Sequence, residues 1–400
     1  MQISELEIQG YRSIRELRIP LAPVTVLVGA NGCGKSNIYQ SLRLLAAASD
    51  GTLASSIAAE GGMPSIIWAG ERRKDEEKRV RLKACFEDYD YCLEFGFIPL
   101  SDRPAAGGGP GLEVFRGDPD VKSETMSYLS GKKPVPVLER RRGSIRARNI
   151  DGRMVEYPLS VAHCQSVLAE LREPHKFPEL SVLRSVMSSW RFYHKFRTDS
   201  LSQIRKPQVG TLTQVLSHDG GDLVSALATI LATGDKEGLE ESIKTAFPGA
   251  RLIIDSGDSE LTFCLETPGL RRPLEARELS DGTLQYLCLL AALLSPKAAP
   301  LVVLNEPETS IHPDLINPLA ELISHASNDS QVIVTTHNLD LAAGLKKRCD
   351  LQPVQLEKID GATRIQGQKL DADLDSVEVP EIELTERKRR PFRPGAGQAD

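Results

Sequence analysis

Short apolar runs rich in β-branched residues punctuate this chain, and their position relative to glycine, proline and charge predicts most of its elements. Residues 23–28 (PVTVLV), 301–304 (LVVL) and 331–336 (QVIVTT) are uninterrupted, the pattern of strands buried on both faces of a parallel sheet. Residues 79–86 and 89–95 alternate apolar with polar side chains, which predicts an antiparallel pair joined by a polar turn around Asp88. A mixed strand is expected over residues 3–8, and helices over 37–48 and 284–294. From 160 to 233 the spacing of Val182, Leu183, Val186, Met187 and Trp190, and again of residues 223–231, reads as helical. A short helix at 239–247, strands at 251–254 and 261–265, and a strand pair within 354–366 complete the pattern. Residues 101–158 are rich in Gly, Pro and charge, with a flexible loop at 105–111 and room for hairpin strands near 153–157.

The run at 23–28 leads directly into GANGCGKS at residues 29–36 and then into a predicted helix. Strand, glycine-rich loop and helix in that order are what cradling a triphosphate requires. Gly29, Gly32 and Gly34 permit backbone angles closed to other residues, so successive N–H groups can turn inward onto phosphate oxygens. The helix points its positive end at the same anion. Lys35 is placed to reach the β- and γ-phosphates and the Ser36 hydroxyl to take one position on Mg²⁺. Asn31, Gly32, Cys33, Gly34, Lys35, Ser36 and Asn37 are thus the candidate ATP-binding set. Cys33 is either a tolerated small residue or a thiol sensitised by the anion-attracting loop.

Three further motifs follow near the C-terminus. Leu279-Ser280-Asp281-Gly282 opens an apolar helix, the strand from 301 ends in Asn305, Glu306 and Glu308, and the strand from 331 has His337 at its tip. Each alone is ordinary; their order and close spacing are not. With them the chain resembles the ABC-type ATPase heads of SMC and RecF proteins, and more closely the stand-alone bacterial "AAA family" ATPases of that clade. The resemblance covers about the first seventy residues and residues 270–365, and is looser between.

That resemblance implies an α/β fold, an ABC-ATPase-like P-loop head with a mixed sheet flanked by helices and an inserted helical and β lid region. It implies ATP and Mg²⁺ as cofactors and a head-to-tail homodimer in which each ATP lies between one chain's phosphate loop and the other chain's Ser280 and Gly282. Glu306 would orient and polarise the attacking water, and His337 would hold that water and sense the γ-phosphate. Ser36 and Asn305 would face the metal. Arg12, in the segment Tyr11-Arg12-Ser13, would approach nucleotide or serve as a structural arginine at a strand end. Ser310-Ile311-His312-Pro313 occupies the place of the dimer-contacting loop, although His312-Pro313 also suits the opening of a surface helix.

The chain departs from the family pattern at Asn305, where an aspartate is usual; a neutral amide holds a metal shell less firmly, which favours slow hydrolysis and long-lived ATP-bound dimers. No glutamine can be assigned to the family's Q-loop between residues 47 and 70.

Composition narrows the rest. With 400 residues, 40% hydrophobic and 26% charged, the chain can bury a substantial core in about two domains. The apolar helix at 284–294 is shorter than the roughly 18 residues a bilayer span needs, and the N-terminus reads as a strand rather than a leader, so a cytoplasmic protein without membrane contact is expected. Seven cysteines without a Cys-x-x-Cys pair argue against disulfides and zinc. Trp190, Phe192, Tyr193 and Phe196 concentrate the aromatic residues, as the core of a helical lid or as a base-stacking platform. A net charge of −6 supplies no overall basic field. Two clusters, residues 140–142 with Arg146 and Arg148, and residues 388–390 with Arg393, are either solvated charge or grips for DNA phosphates.

No sustained heptads are seen, no nuclease domain is expected, and the acidic-then-basic stretch from 371 to 393 reads as disordered. The expected organisation is an N-terminal half-head at 1–100, an inserted region at 101–270, loop-rich then helical, a C-terminal half-head at 271–366 and a charged tail at 367–400. The expected function is a Mg²⁺-dependent ATPase acting on DNA or a protein effector in genome maintenance or anti-phage defence. The competing expectation is an ATP-gated switch or scaffold that hydrolyses little.

Overall fold

The apolar runs at 24–28, 301–305 and 331–336 become strands with no exposed residue, and they lie side by side in a parallel sheet. A fourth, Arg191–Tyr193, pairs parallel to Leu301–Asn305 with Arg191 opposite Val302, so the order is Arg191–Tyr193, Leu301–Asn305, Gln331–Thr336, Val24–Gly29. A computed structural model describes residues 1–72, 76–99, 115, 117–130, 133–141, 143–158, 161–257 and 260–368. The described chain divides into two units: Met1–Ala22, Gly29–Trp190 and Val354–Ala372 in the first, and Pro23–Val28 with Arg191–Pro353 in the second.

The second unit holds the parallel strands. Helix Asp281–Leu293 is buried continuously from Leu284 onward, because it packs within a core that also takes Leu223–Thr233 and Ile316–Ala326. An apolar helix buried all round needs no amphipathic stripe, which is why its sequence shows none. Arg251–Ser256 and Glu260–Glu266 pair as an antiparallel hairpin, Leu252 opposite Leu265.

The first unit is an eight-stranded antiparallel sheet in the order Ile14–Pro20, Ile3–Tyr11, Arg79–Phe86, Tyr89–Gly96, Asp120–Ser130, Lys133–Arg141, Ser144–Arg148, Met154–Glu156. The predicted alternation in Arg79–Phe86 is realised: Val80, Leu82, Ala84 and Phe86 are buried. The other face carries a ladder of charge in which Lys83 Nζ lies 3.1 Å from Glu7 and 3.2 Å from Asp90. Helix Lys35–Asp50 buries eleven of its sixteen residues, against Pro178–Ser188 among others, and the hairpin Val354–Ile359 with Ala362–Ile365 completes the unit.

Two expectations are corrected. Residues 120–156 are mostly strand rather than loop; their buried positions include the charged Glu124 and Arg140, which hides the alternation from a sequence reading. The span from 160 to 233 is not continuously helical: helices Pro178–Ser188 and Leu223–Thr233 flank the strand Arg191–Tyr193 and the irregular segment after it. A three-residue strand is defined by its pairing with Leu301–Asn305, more than a hundred residues away, and local periodicity cannot report that. Trp190, Phe192, Tyr193 and Phe196 are all buried, which fits a core and removes them as a base-stacking platform. The loop at 105–111 and the charged tail lie outside the described residues.

Candidate functional site

In the first unit the loop at 30–34 ends at Gly34, the N-cap of helix Lys35–Asp50, with φ 112°. Gly34 cannot be replaced cheaply, since a Cβ there would sit 2.1 Å from Thr363 Oγ1. A Cβ on Gly29 would meet Cys33 Sγ at 2.6 Å and the Leu356 carbonyl at 2.7 Å, whereas Gly32 has open space but φ 79°. Two of the loop's glycines are therefore fixed by packing and one by backbone angle. A chain of hydrogen bonds braces the loop. Asn37 Nδ2 donates to Ser13 Oγ at 2.7 Å, Ser13 Oγ and Thr363 Oγ1 lie 2.7 Å apart, and Thr363 Oγ1 reaches the Cys33 carbonyl at 2.8 Å.

Lys35 is buried, with Nζ donating to the carbonyls of Gly29 at 2.7 Å and Ala30 at 3.2 Å. Its ammonium is held over the loop it would share with a phosphate. Ser36, Asn31 and Gly32 are exposed. The loop fits an anion and the exposed Ser36 hydroxyl, in the helix's first turn, fits a hard oxygen-seeking cation.

Arg12 has φ 50° and pairs with Glu60 at 2.8 Å, and Glu60 also accepts from Tyr11 Oη at 2.6 Å. Burial and the Glu60 carboxylate push the Tyr11 phenol above its ordinary range. The Arg12 guanidinium is thus tied into its own turn, which supports the structural alternative for this residue.

In the second unit the candidate residues gather at the C-terminal ends of the parallel strands, where open α/β sheets place their ligands. Asn305 is 2% exposed, and both ends of its amide are engaged: Oδ1 accepts from Thr335 Oγ1 at 2.7 Å and Nδ2 lies 2.7 Å from His194 Nδ1. Glu306 adopts φ 51°, an uncommon and strained conformation for a residue with a side chain, and its N–H donates to the Thr335 carbonyl at 2.8 Å. His337 Nδ1 stands 3.7 Å from Glu306 Oε1 and 3.4 Å from Glu308 Oε1. Glu308 is buried and accepts from Thr336 Oγ1 at 2.5 Å and from the His337 N–H at 3.2 Å, while its Oε2 has no hydrogen-bond partner among the described residues. A buried carboxylate oxygen left over in this way is an acceptor for a water or a ligand.

Ser280 is the exposed N-cap of helix Asp281–Leu293, accepting from the Thr283 N–H at 3.1 Å. Gly282 lies against Ser310, whose φ is 68°; a Cβ on Gly282 would sit 2.7 Å from the Ser310 carbonyl. The serine-glycine turn and the loop after Glu308 are in this way locked to each other. His312 caps the short 3₁₀ turn Pro313–Leu315, the helix-opening role that its sequence also allowed.

Two family models match overlapping stretches of the chain: "AAA ATPase domain" over residues 1–192 and "AAA domain, putative AbiEii toxin, Type IV TA system" over residues 149–343. The chain is thus similar, over two overlapping stretches, to ATPase-type domain families. It is similar to the Old nuclease of Escherichia phage P2, 21% identical over 365 residues that make up 85% of this chain and 57% of that protein. The chain thus spans a little over half the length of this relative. Its fold is that of a solved SMC head bound to the C-winged helix domain of ScpA, with a TM-score of 0.50 and 17% identity, covering 91% of this chain and 97% of the other.

Within each unit, residues predicted separately come together. Ser13, Cys33 and Asn37 share one hydrogen-bond chain, and Asn305, Glu306 and His337 share one strand-end cluster. Thr363, His194 and Thr335 escaped the sequence reading as site residues, and Glu308 was read only as a strand-end acid without a role. Only Glu308 carried a signal there, as the second acid two residues after Glu306; the others reach the site through strand pairing. The cluster Arg140, Arg141, Arg142 is corrected: Arg140 is 4% exposed and donates to the carbonyls of Gln165 at 2.5 Å and Ala162 at 3.1 Å, with Glu124 at 3.9 Å. It is committed to the interior and offers nothing to a phosphate. Arg141 and Arg146 are exposed, and Arg142 and the cluster at 388–393 lie outside the described residues. No helix among the described residues is long and apolar enough to cross a membrane.

Proposed function

We propose that this chain is a Mg²⁺-dependent ATPase that works as a head-to-tail homodimer with ATP sandwiched between copies. The observation carrying the hydrolytic part is the strained Glu306 with its carboxylate 3.7 Å from His337, strain being commonest where a side chain must be aimed at a reaction. Asn31, Gly32, Cys33, Gly34, Lys35, Ser36 and Asn37 bind the triphosphate, and Arg12 steadies the turn beside them. Glu306 accepts a hydrogen bond from the attacking water and turns its lone pair toward the γ-phosphorus; His337 holds the same water and is itself aligned by Glu308. Ser36 and Asn305 would each offer an oxygen to Mg²⁺, which would supply charge neutralisation to the phosphates. Ser280 and the Gly282 N–H, exposed on a helix N-terminus, complete the partner's site.

The object of the cycle is DNA or a protein effector, in genome maintenance or anti-phage defence in the cytoplasm. The name of the relative, a nuclease, and the exposed Arg141 and Arg146 support nucleic acid. A second function is favoured by one observation, the fully engaged Asn305 amide: an ATP-gated switch that dimerises and hydrolyses little. Sedimentation of Glu306→Gln with Mg²⁺-ATP tests the dimer, expected to be stable and to dissolve when Ser280→Arg is added. A Glu306→Gln protein that stays monomeric in ATP would falsify the sandwich, and turnover by the unsubstituted protein separates enzyme from switch.

A further inference from the structure

Arg205 makes five directed contacts, and nothing in the sequence singles it out. Its side chain is 11% exposed. Nε donates to the Thr198 carbonyl at 2.8 Å, and Nη1 reaches the carbonyls of Leu279 at 2.8 Å, Arg277 at 3.1 Å and Ala276 at 3.3 Å. Nη2 lies 2.7 Å from Asp281 Oδ1. One guanidinium therefore joins the segment after Phe196 to the carbonyls and the carboxylate on both sides of Ser280.

We propose that Arg205 is a positioning residue for the Ser280–Gly282 turn, clamping its backbone and cancelling the charge of Asp281; in the dimer this rests on the sandwich proposed above. Two physical points support it. First, the turn sits between the short 3₁₀ turn Ala276–Glu278 and helix Asp281–Leu293, and among the described residues no strand pairing fixes residues 276–280. Nε, Nη1 and Nη2 of one planar fork hold Thr198, the carbonyls before Ser280 and Asp281 at once in place of that ladder, and a lysine, donating from a single nitrogen, cannot reach all three positions. Second, Asp281 puts a carboxylate next to the serine that would meet a triphosphate, where it opposes the anion-favouring helix end. The neighbouring charges are already matched among themselves, Arg277 with Glu275 at 2.8 Å and Arg272 with Glu278 at 2.7 Å, so the cation for Asp281 comes from Arg205.

The test uses the full chain and two readouts. Amide hydrogen exchange over residues 279–284 is measured without nucleotide in Arg205→Lys; it is expected to rise about tenfold, because charge is kept and the fork is lost. Asp281→Ala, an exposed change, is expected to raise it about threefold, and serves alone if Arg205→Lys fails to melt cooperatively. In a Glu306→Gln background, Arg205→Lys is expected to weaken ATP-dependent dimerisation about tenfold while leaving ATP binding to the phosphate loop unchanged. Exchange unchanged in the folded variants overturns the clamp and leaves the sandwich intact. Exchange that rises in a Glu306→Gln protein that never dimerises sustains the clamp and overturns the sandwich. Equal loss of ATP binding and dimerisation also overturns the proposal, since it marks a general structural role.

Discussion

Asn305 Nδ2 lies 2.7 Å from His194 Nδ1, so the neutral amide that departs from the family pattern is matched by an imidazole nitrogen just past the neighbouring strand's end. The opposite end of the same amide takes the Thr335 hydroxyl. An aspartate would keep the second bond, and would keep the first only with the proton on His194 Nδ1. The departure at residue 305 is therefore accompanied by a local arrangement rather than standing alone, and it reappears in the last prediction below.

Lys35→Ala is expected to lower ATP affinity roughly 100-fold or more, since each charge-assisted bond to phosphate is worth about 1.5–3 kcal/mol and the lysine supplies at least one that nothing else replaces. The carbonyls of Gly29 and Ala30 that it now satisfies are loop groups that water can take over, so the fold should survive. Calorimetric titration with ATP checks this, alongside a melting curve. An unchanged affinity in a folded protein removes residues 29–36 as the phosphate site.

Arg140→Ala and the pair Arg141→Ala with Arg146→Ala are expected to behave oppositely. Removing Arg140 leaves Glu124 and two carbonyls without their cation in the interior, which costs about 3–5 kcal/mol. The exposed pair should leave stability within about 0.5 kcal/mol and, if DNA is bound, weaken it more at low salt than at high. Denaturant titration and fluorescence anisotropy across a salt series read the two effects. A marginal change for Arg140→Ala would mean that the buried ion pair is relieved by water.

Much of the nucleotide loop was legible because its chemistry is local: strand, glycines, lysine and helix follow one another within about twenty residues. The strands ending at Asn305 and Thr336 were legible for a related reason, since burial on both faces leaves an apolar run. What could not be read is what arrives laterally. Thr363 reaches Cys33 across 330 residues and His194 reaches Asn305 across 111, and neither has a spacing that marks it. Arg140 was misread because charge in a sequence suggests solvent, whereas here Glu124 and the carbonyls around it make a buried arginine tolerable.

Gly282→Ala is expected to disrupt ATP-dependent dimerisation without touching ATP binding. The new Cβ would stand 2.7 Å from the Ser310 carbonyl, a backbone atom held in a left-handed turn that cannot simply rotate away. Either the helix start or the loop after Glu308 must shift by several tenths of an ångström, and both are on the face proposed to meet the partner. Sedimentation in the Glu306→Gln background, compared with nucleotide titration, separates the two effects. Full dimerisation by the alanine variant would show that the contact is slack.

Asn305→Asp is expected to speed Mg²⁺-dependent hydrolysis severalfold while lowering the stability of the nucleotide-free protein by about 1–3 kcal/mol. The loss follows from burial: at 2% exposure a carboxylate gives up hydration and keeps only the Thr335 hydroxyl as a certain donor. His194 decides how much is recovered. Its ring is exposed, so it can move its proton to Nδ1 and donate to the new carboxylate in place of accepting from the amide. The gain in rate follows from the metal, because a full negative charge at residue 305 fixes the Mg²⁺ shell and so the β- and γ-phosphates that Glu306's water must approach in line. Combining Asn305→Asp with His194→Phe should therefore keep the tighter Mg²⁺ dependence yet deepen the stability loss, since the compensating donor is gone. Turnover against Mg²⁺ concentration, with melting curves for the single and double variants, measures both halves. A slower or unchanged Asn305→Asp enzyme would mean that the His194 amide arrangement is the one in which Glu306 is correctly aimed, and that the amide is part of the working site rather than a brake upon it.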